Sequence, residues 1–249
     1  MDPKHIEKIA DILRNEGVSD VNHIVSSLIE NCDCDEREYL EVLTWLTGEQ
    51  AACDAIVNRV GLNNCFGKWH RDPDTGDIYH ESGGFFRIIG VDVKTDKRES
   101  GIGWSQPMID QGTESSIAGL LKHKYSDSCK YLVEAKFEPG NYGMVQLSPG
   151  LQVTYSNLKQ LHKGKKPFLS EYFVEDRENT KVLYEQWLPE DGGRFFLKRV
   201  KYMLVELSDA DSLPEISSHF RWVKLSTLKK LLHHDNLINC HLRTLIAVL

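Results

Sequence analysis

A lysine set between two carboxylates, in Glu134-Ala-Lys136-Phe-Glu138, is the pattern in this chain best suited to chemistry. An ammonium beside carboxylates can polarise a carbonyl or take part in proton transfer when its surroundings tune it. Tyr131, Val133, Ala135 and Phe137 alternate with Leu132, Glu134, Lys136 and Glu138, so a period of two puts the charges on one side of a strand. Pro139-Gly140 then reads as a turn. After Pro149-Gly150 the alternation returns, with Leu151, Val153 and Tyr155 on one face and Gln152, Thr154 and Ser156 on the other. Such amides and hydroxyls can orient a polar ligand. The competing reading is a solvated sheet face, where each cross-strand ion pair contributes about 0.2–1 kcal/mol.

Other stretches carry usable groups. Trp104-Ser-Gln-Pro107 reads as a turn offering a flat indole for stacking and, in Gln106, an amide that both donates and accepts; an aromatic packed under a turn is the alternative. Lys198, Arg199 and Lys201 form a local basic cluster in a chain of net charge -7, the kind an anionic ligand such as a diphosphate needs, although a solvated strand fits equally well. The negative balance argues against a general nucleic-acid binder. His233-His234 and Cys240-His241 are adjacent pairs whose side chains diverge on a helix, and six cysteines without zinc-ribbon or CxxC spacing read as free thiols, so no metal is expected.

The elements that must position these groups fall into two parts. Ile6, Ile9, Ala10 and Leu13 fall at helical spacing before Gly17, and Ser19 can cap a second helix through Val21, Ile24, Val25 and Leu28. A third helix through Leu40, Leu43 and Leu46 should stop at Gly48, with a fourth over 49–60. We expect residues 1–60 to be a helical segment packed on the rest of the chain or on a second subunit, and 61–249 to be a module rich in strands. Turns at Asp-Pro-Asp-Thr-Gly and Ser-Gly-Gly precede an apolar strand from Phe85 to Val93. Ser115 to Tyr125 reads as a helix with Ile117, Leu120 and Leu121 inward. SEYFVED, KVLYEQWL and GGRFFLKRVKYMLVEL read as strands, the last burying Phe195, Leu197, Met203, Val205 and Leu207. Ser226 is placed to cap a helix, and Leu242, Leu245, Ile246 and Leu249 form a stripe that leaves Arg243 on another face. With 41% hydrophobic residues, no apolar run long enough to span a bilayer and no secretion signal, the expected product is a soluble cytoplasmic protein.

The runs EAKFEPGN and LQVTYSN, with GFFRIIGVDV, WSQPMIDQG and FRWVKLSTLKKLL, resemble the NDP-hexose 2,3-dehydratase family of deoxysugar biosynthesis, in order from about Trp69 to Leu249. The resemblance implies an α+β fold, a Nudix-like mixed β-sheet module flanked by helices. It implies elimination of water across C2 and C3 of a dTDP-linked 4-keto-6-deoxyhexose, with no redox cofactor. Lys136 and Glu138 become the proton-transfer or carbonyl-polarising residues, and Tyr155 a donor, although alternation puts Tyr155 on the apolar face. Asn141, Gln152, Thr154, Ser156 and Asn157 would hold the sugar, Trp104 and Gln106 the base, and Arg199 and Arg243 the diphosphate. The family closes with an Asn and Arg-Thr pairing similar to Asn239 and Arg243. Members carry two tandem modules whereas this chain has room for one, so a homodimer is expected. The chain departs from the family at Lys198-Arg-Val-Lys-Tyr202, where the usual run is Lys-Arg-Asn-Arg-Asn. It lacks the Arg-Glu-x-x-Glu-Glu helix of Nudix hydrolases, which argues against metal-dependent pyrophosphate cleavage. A non-catalytic nucleotide-sugar-binding module is the alternative.

Overall fold

Two strand-rich stretches separated by a turn at Gly112 give two sheets. The computed structural model describes residues 3–18, 21, 25, 29–30, 35–65, 67–96, 103–125, 128–158, 166–174, 180–208 and 213–249. Helices α1 (Pro3–Asn15) and α2 (Glu36–Ala52) come first. Then β1 (Trp69–Arg71), β2 (Ile78–His80), β3 (Arg87–Val93) and β4 (Trp104–Asp110) form an antiparallel meander. The larger sheet contains β5 (Glu114–Lys124), β6 (Cys129–Phe137), β7 (Val145–Pro149), β8 (Leu151–Thr154), β9 (Thr180–Pro189), β10 (Arg199–Leu207) and β11 (Phe220–Lys224). Short helices α3 (Tyr155–Leu158), α4 (Leu225–Leu231) and α5 (Cys240–Ile246) follow the strands that precede them. This is a mixed α+β architecture: β5 and β10 run parallel, and the other paired strands antiparallel.

The larger sheet has the order β11-β6-β5-β10-β9 and is forked. β5 and β6 pair at Leu121–Lys124, then diverge. β7 pairs with the rest of β6, and β8 with the start of β5. The bend between β7 and β8 needs Gly150, since a Cβ there would lie 2.9 Å from the Leu132 carbonyl oxygen. Gly119 is equally constrained: a Cβ would sit 2.5 Å from the Phe173 ring. The fork brings the end of β6 beside β8, which sets the ends of the two polar faces side by side.

The core lies on both faces. Ala118, Leu120, Tyr131, Val133, Ala135, Val200, Tyr202 and Leu204 pack on one side with α2, α4 and α5. Ile117, Leu121, Leu132, Leu151, Val153, Met203, Val205 and Leu207 pack on the other with Leu169 and Phe173. The helix expected over Ser115 to Tyr125 is therefore a strand. Ile117, Leu120 and Leu121 match helical spacing, but a strand buried on both faces shows no alternation to distinguish it. Trp104 to Pro107 is likewise strand β4 and not a turn: Pro107 sits opposite Gly90, where its missing N–H is tolerated.

Three further expectations change. α2 runs through Gly48 to Ala52, and residues 53–60 are in neither helix nor strand, so the fourth helix does not form. Asp35 caps α2 by accepting from the Arg37 and Glu38 amides at 3.0 and 3.3 Å, and Tyr39, Val42 and Leu46 seat the helix in the core. SEYFVED contains a helical turn at Ser170–Tyr172, and Leu197, at 68% exposure with φ +52°, precedes β10 outside the core. Lys224, not Ser226, is the residue before α4. In the second expected helix Val21 and Val25 are helical, whereas Ser19, Ile24, Leu28, Cys32 and Cys34 lie outside the described residues. Among the described residues no helix is long and apolar enough to cross a membrane.

The N-terminal segment is pinned to the sheet by a buried ion pair. Lys122 Nζ is 2.9 Å from Glu30 Oε1, and the Tyr131 hydroxyl donates to Glu30 Oε2 at 2.7 Å. Burial pulls the Lys122 pKa down, but the hydrogen bond and charge of Glu30, with Glu206, outweigh it and the net shift is upward.

Candidate active site

At the end of the sheet where β5 and β10 begin and β6 and β8 finish there is a cavity of about 430 Å³. Lys136 and Glu138 reach it from the end of β6, and Gln152, Thr154 and Asn157 from β8 and α3. Ser116 comes from β5, Glu190, Phe195 and Lys198 from the segment between β9 and β10, and His241 from α5. The fork explains the convergence. Because β7 and β8 fill the gap between β5 and β6, residues 14 apart in sequence, Glu138 and Gln152, stand within hydrogen-bond range.

The carboxylate of Glu138 is held by a directed chain. Gln152 Nε2 donates to Glu138 Oε1 at 2.8 Å, and Asn141 Nδ2 to Glu138 Oε2 at 3.4 Å. The Gln152 carbonyl oxygen accepts from Ser148 Oγ at 2.9 Å and Asn239 Nδ2 at 2.8 Å. Two donors on that oxygen fix which way the amide points, so its NH2 faces Glu138. Asn239 in turn caps α5, accepting from the Leu242 amide at 2.9 Å. Lys136 Nζ is 3.2 Å from Glu134 Oε2 and remains partly open at 24% exposure. Thr154 and Ser156 hydroxyls are 2.9 Å apart.

A second group of charges lies across β5. Lys198 Nζ is 3.2 Å from Glu190 Oε2 and 4.4 Å from the centre of the Phe195 ring. His241 Nε2 is 3.9 Å from Glu190 Oε1, and its Nδ1 is 2.8 Å from the Tyr202 hydroxyl. Burial lowers the His241 pKa; Glu190 and Glu138 oppose the shift and Lys198 adds to it. The Tyr202 phenol is pushed up to about 12, chiefly by burial. Ser116 Oγ is buried at the cavity and has no hydrogen-bond partner among the described residues, a polar atom that a ligand group can satisfy.

Of the residues expected from sequence, Lys136, Glu138, Gln152, Thr154 and Asn157 line this cavity. Asn141, Asn239 and Ser156 bond directly to residues that do. The others sit elsewhere. Tyr155 opens α3 with its ring packed 6.4 Å from that of Trp187. Trp104 Nε1 donates to Gln106 Oε1 at 2.9 Å, and Gln106 Nε2 reaches the Gly193 carbonyl at 3.2 Å, so this pair adjoins the segment between β9 and β10. Arg199 is paired with Glu114, and Arg243 donates to the carbonyls of Ile238, Leu232 and His234 at 3.2, 3.5 and 3.4 Å. Sequence reasoning missed Ser116, Glu190 and His241 as site residues. For His241 the available signal is its place two residues after the capping Asn239; for Glu190 and Ser116 no local pattern marks them.

The family model described as NDP-hexose 2,3-dehydratase matches residues 39–249 of the chain. The chain is 33% identical over 204 residues to the "dTDP-4-dehydro-6-deoxy-alpha-D-glucopyranose 2,3-dehydratase" of Saccharopolyspora spinosa, which covers 82% of this chain and 40% of that protein. It is 33% identical over 205 residues to the protein of the same name from Streptomyces violaceoruber, covering 82% and 44%. The chain thus spans about two-fifths of the length of the curated relatives it matches. Among solved structures, a C. elegans Ap4A hydrolase is 15% identical with a TM-score of 0.33, covering 54% of this chain and 96% of that one. A Nudix hydrolase from M. smegmatis is 13% identical with a TM-score of 0.31, covering 64% and 97%.

Proposed function

The chain belongs to the NDP-hexose 2,3-dehydratase family, and on that footing we propose that it eliminates water across C2 and C3 of a dTDP-linked 4-keto-6-deoxyhexose. The observation that carries this reading is the cavity, which gathers Lys136, Glu138, Gln152, Thr154 and Asn157 within a volume of about 430 Å³. That volume lies in the range of small-molecule sites and accommodates the sugar, leaving the nucleotide to lie outside along the surface. Trp104 and Gln106, tied through the Gly193 carbonyl to the segment that walls the cavity, would take the base.

The C4 ketone acidifies the C3 hydrogen, so removal of that proton gives an enolate that can expel the C2 hydroxyl. The Lys136 ammonium polarises the C4 carbonyl and stabilises the enolate oxygen. Glu138, locked by Gln152, transfers a proton or holds a sugar hydroxyl. The elimination is redox-neutral, so it calls for no redox cofactor. Arg199 and Arg243 would contact a diphosphate only by exchanging their present partners, Glu114 and the α4–α5 carbonyls.

Because the relatives are about twice as long, we further propose that two copies of this chain associate as a homodimer, which light scattering measures directly. Cysteines without disulfide or zinc spacing suit a cytoplasmic setting. The test of function is incubation with dTDP-4-keto-6-deoxyglucose, following water loss by mass spectrometry and nucleotide binding by calorimetry. Turnover is expected, with Lys136→Ala slowing it on the order of 100- to 1,000-fold. Binding without turnover would instead support a nucleotide-sugar-binding module, the reading favoured by Val200 and Tyr202 standing where the family has asparagines.

A further inference from the structure

The reaction outlined above leaves unused the charged group across β5, in which His241 Nδ1 faces the Tyr202 hydroxyl and Nε2 faces Glu190. In the tautomer with its hydrogen on Nδ1, the His241 ring donates to the Tyr202 hydroxyl at 2.8 Å and keeps a lone pair on Nε2. Burial favours the neutral ring, a form able to take a proton. Glu190, 3.9 Å from Nε2, is placed to stabilise the imidazolium once it forms, and Lys198 holds that carboxylate in place at 3.2 Å. The arrangement is a base backed by an orienting hydroxyl on one nitrogen and a carboxylate beside the other. Glu138, in contrast, has both oxygens engaged by amide donors, an environment that suits an acceptor for a sugar hydroxyl.

Resting on the dehydratase reading, we propose that His241 is a further catalytic residue, whose Nε2 carries the C3 proton of the 4-keto sugar to the departing C2 hydroxyl. In the first step Nε2 takes the C3 hydrogen as a proton. The C3–H bond pair becomes the C3–C4 π bond, and the C4 oxygen becomes an enolate beside Lys136. In the second step the C4 carbonyl re-forms, the π pair moves between C2 and C3, and the C2–O bond breaks with its pair on oxygen. Nε2 returns the proton to that oxygen, water leaves, and the imidazole is neutral again. The buried Ser116 hydroxyl adds a hydrogen-bonding group for the sugar at the same cavity.

The experiment uses the full chain with dTDP-4-keto-6-deoxyglucose and compares the wild type with His241→Ala, His241→Gln and Glu138→Gln. His241→Ala should slow water loss on the order of 100- to 10,000-fold, and added imidazole should restore part of it. His241→Gln should be as slow, without rescue, while keeping wild-type dTDP affinity. Turnover of His241→Ala within about threefold of wild type overturns the assignment, and so does loss that imidazole does not recover, which marks a positioning residue. Solvent deuterium entering C3 in both His241 variants but not in Glu138→Gln would make Glu138 the base and also overturn it. A wild type that loses no water removes the dehydratase reading itself, an outcome distinct from a working enzyme indifferent to His241.

Discussion

In the seven-stranded sheet β5, β6 and β10 bury both faces, whereas in the four-stranded sheet Met108 is the one strand residue among those described that is buried. The two sheets are joined where β4 pairs with the segment before β10: the Ile109 amide donates to the Arg194 carbonyl and the Phe196 amide to the Ile109 carbonyl, both at 2.8 Å. The larger sheet supplies a rigid frame on which a few polar ends converge; the smaller one supplies surface groups such as Trp104 and Gln106. A catalytic constellation needs side chains held to fractions of an ångström, which packed elements provide. A nucleotide base needs only a flat face and an amide, which an exposed strand can offer.

The contrast is broken most directly by core truncation. Leu120→Ala should cost about 2–5 kcal/mol because Leu120 is fully buried, while Ile89→Ala in β3 should cost about 1 kcal/mol or less. Urea unfolding measures both; equal costs would show that the smaller sheet has a core of its own. Asn239→Ala, which removes the α5 cap and the bond to Gln152, should cost about 1 kcal/mol. Asn239→Asp keeps the cap but loses the amide donor, so it should retain stability better than Asn239→Ala while still slowing turnover.

The third expectation concerns pH. The folded-state pKa of His241 is lowered from its usual 6.5, so the unfolded chain binds the proton more readily. Its contribution to stability is complete above about 6.5 and is lost as pH falls through the lower folded value. Replacing His241 by Gln should flatten the acid side of a stability profile in that window, and an unchanged profile would contradict the burial argument. The smallest effect is expected from Trp104→Ala. At 43% exposure the indole contributes little packing, so stability should stay within about 0.5 kcal/mol. The affinity for dTDP should fall measurably in calorimetry, and an unchanged affinity would take the smaller sheet out of the site.

Much of the larger sheet was legible because alternation survives wherever one face is polar. β6 shows it from Val133 to Lys136, and β8 from Leu151 to Thr154, whereas Phe137, expected on the apolar face, is exposed. Where both faces are buried the signal vanishes: β5 carries buried residues from Ser115 to Lys122, and its apolar spacing fits a helix as well as a strand. The Asp72 turn was also legible, since its carboxylate accepts from the Asp74 and Thr75 amides at 2.9 and 2.8 Å, a purely local event. α5 shows the division within one element. Its apolar stripe of Leu242, Leu245 and Ile246 was readable, but the direction of His241 was not.

By itself the sequence determined which segments have one greasy face, where several of them turn, and that Lys136, Glu138, Gln152 and Thr154 lie on polar faces. These are properties of a residue and its near neighbours. Only the tertiary structure decided that Ser116, Glu190, Lys198 and His241 meet those residues at one cavity. They come from β5, from the segment between β9 and β10, and from α5, stretches separated by tens of residues. What joins them is the fork of β5 and β6, the parallel pairing of β5 with β10, and the docking of α5 through Leu242 and Leu245. Long-range pairings of that kind depend on burial shared between segments, and a local period carries no record of its partner.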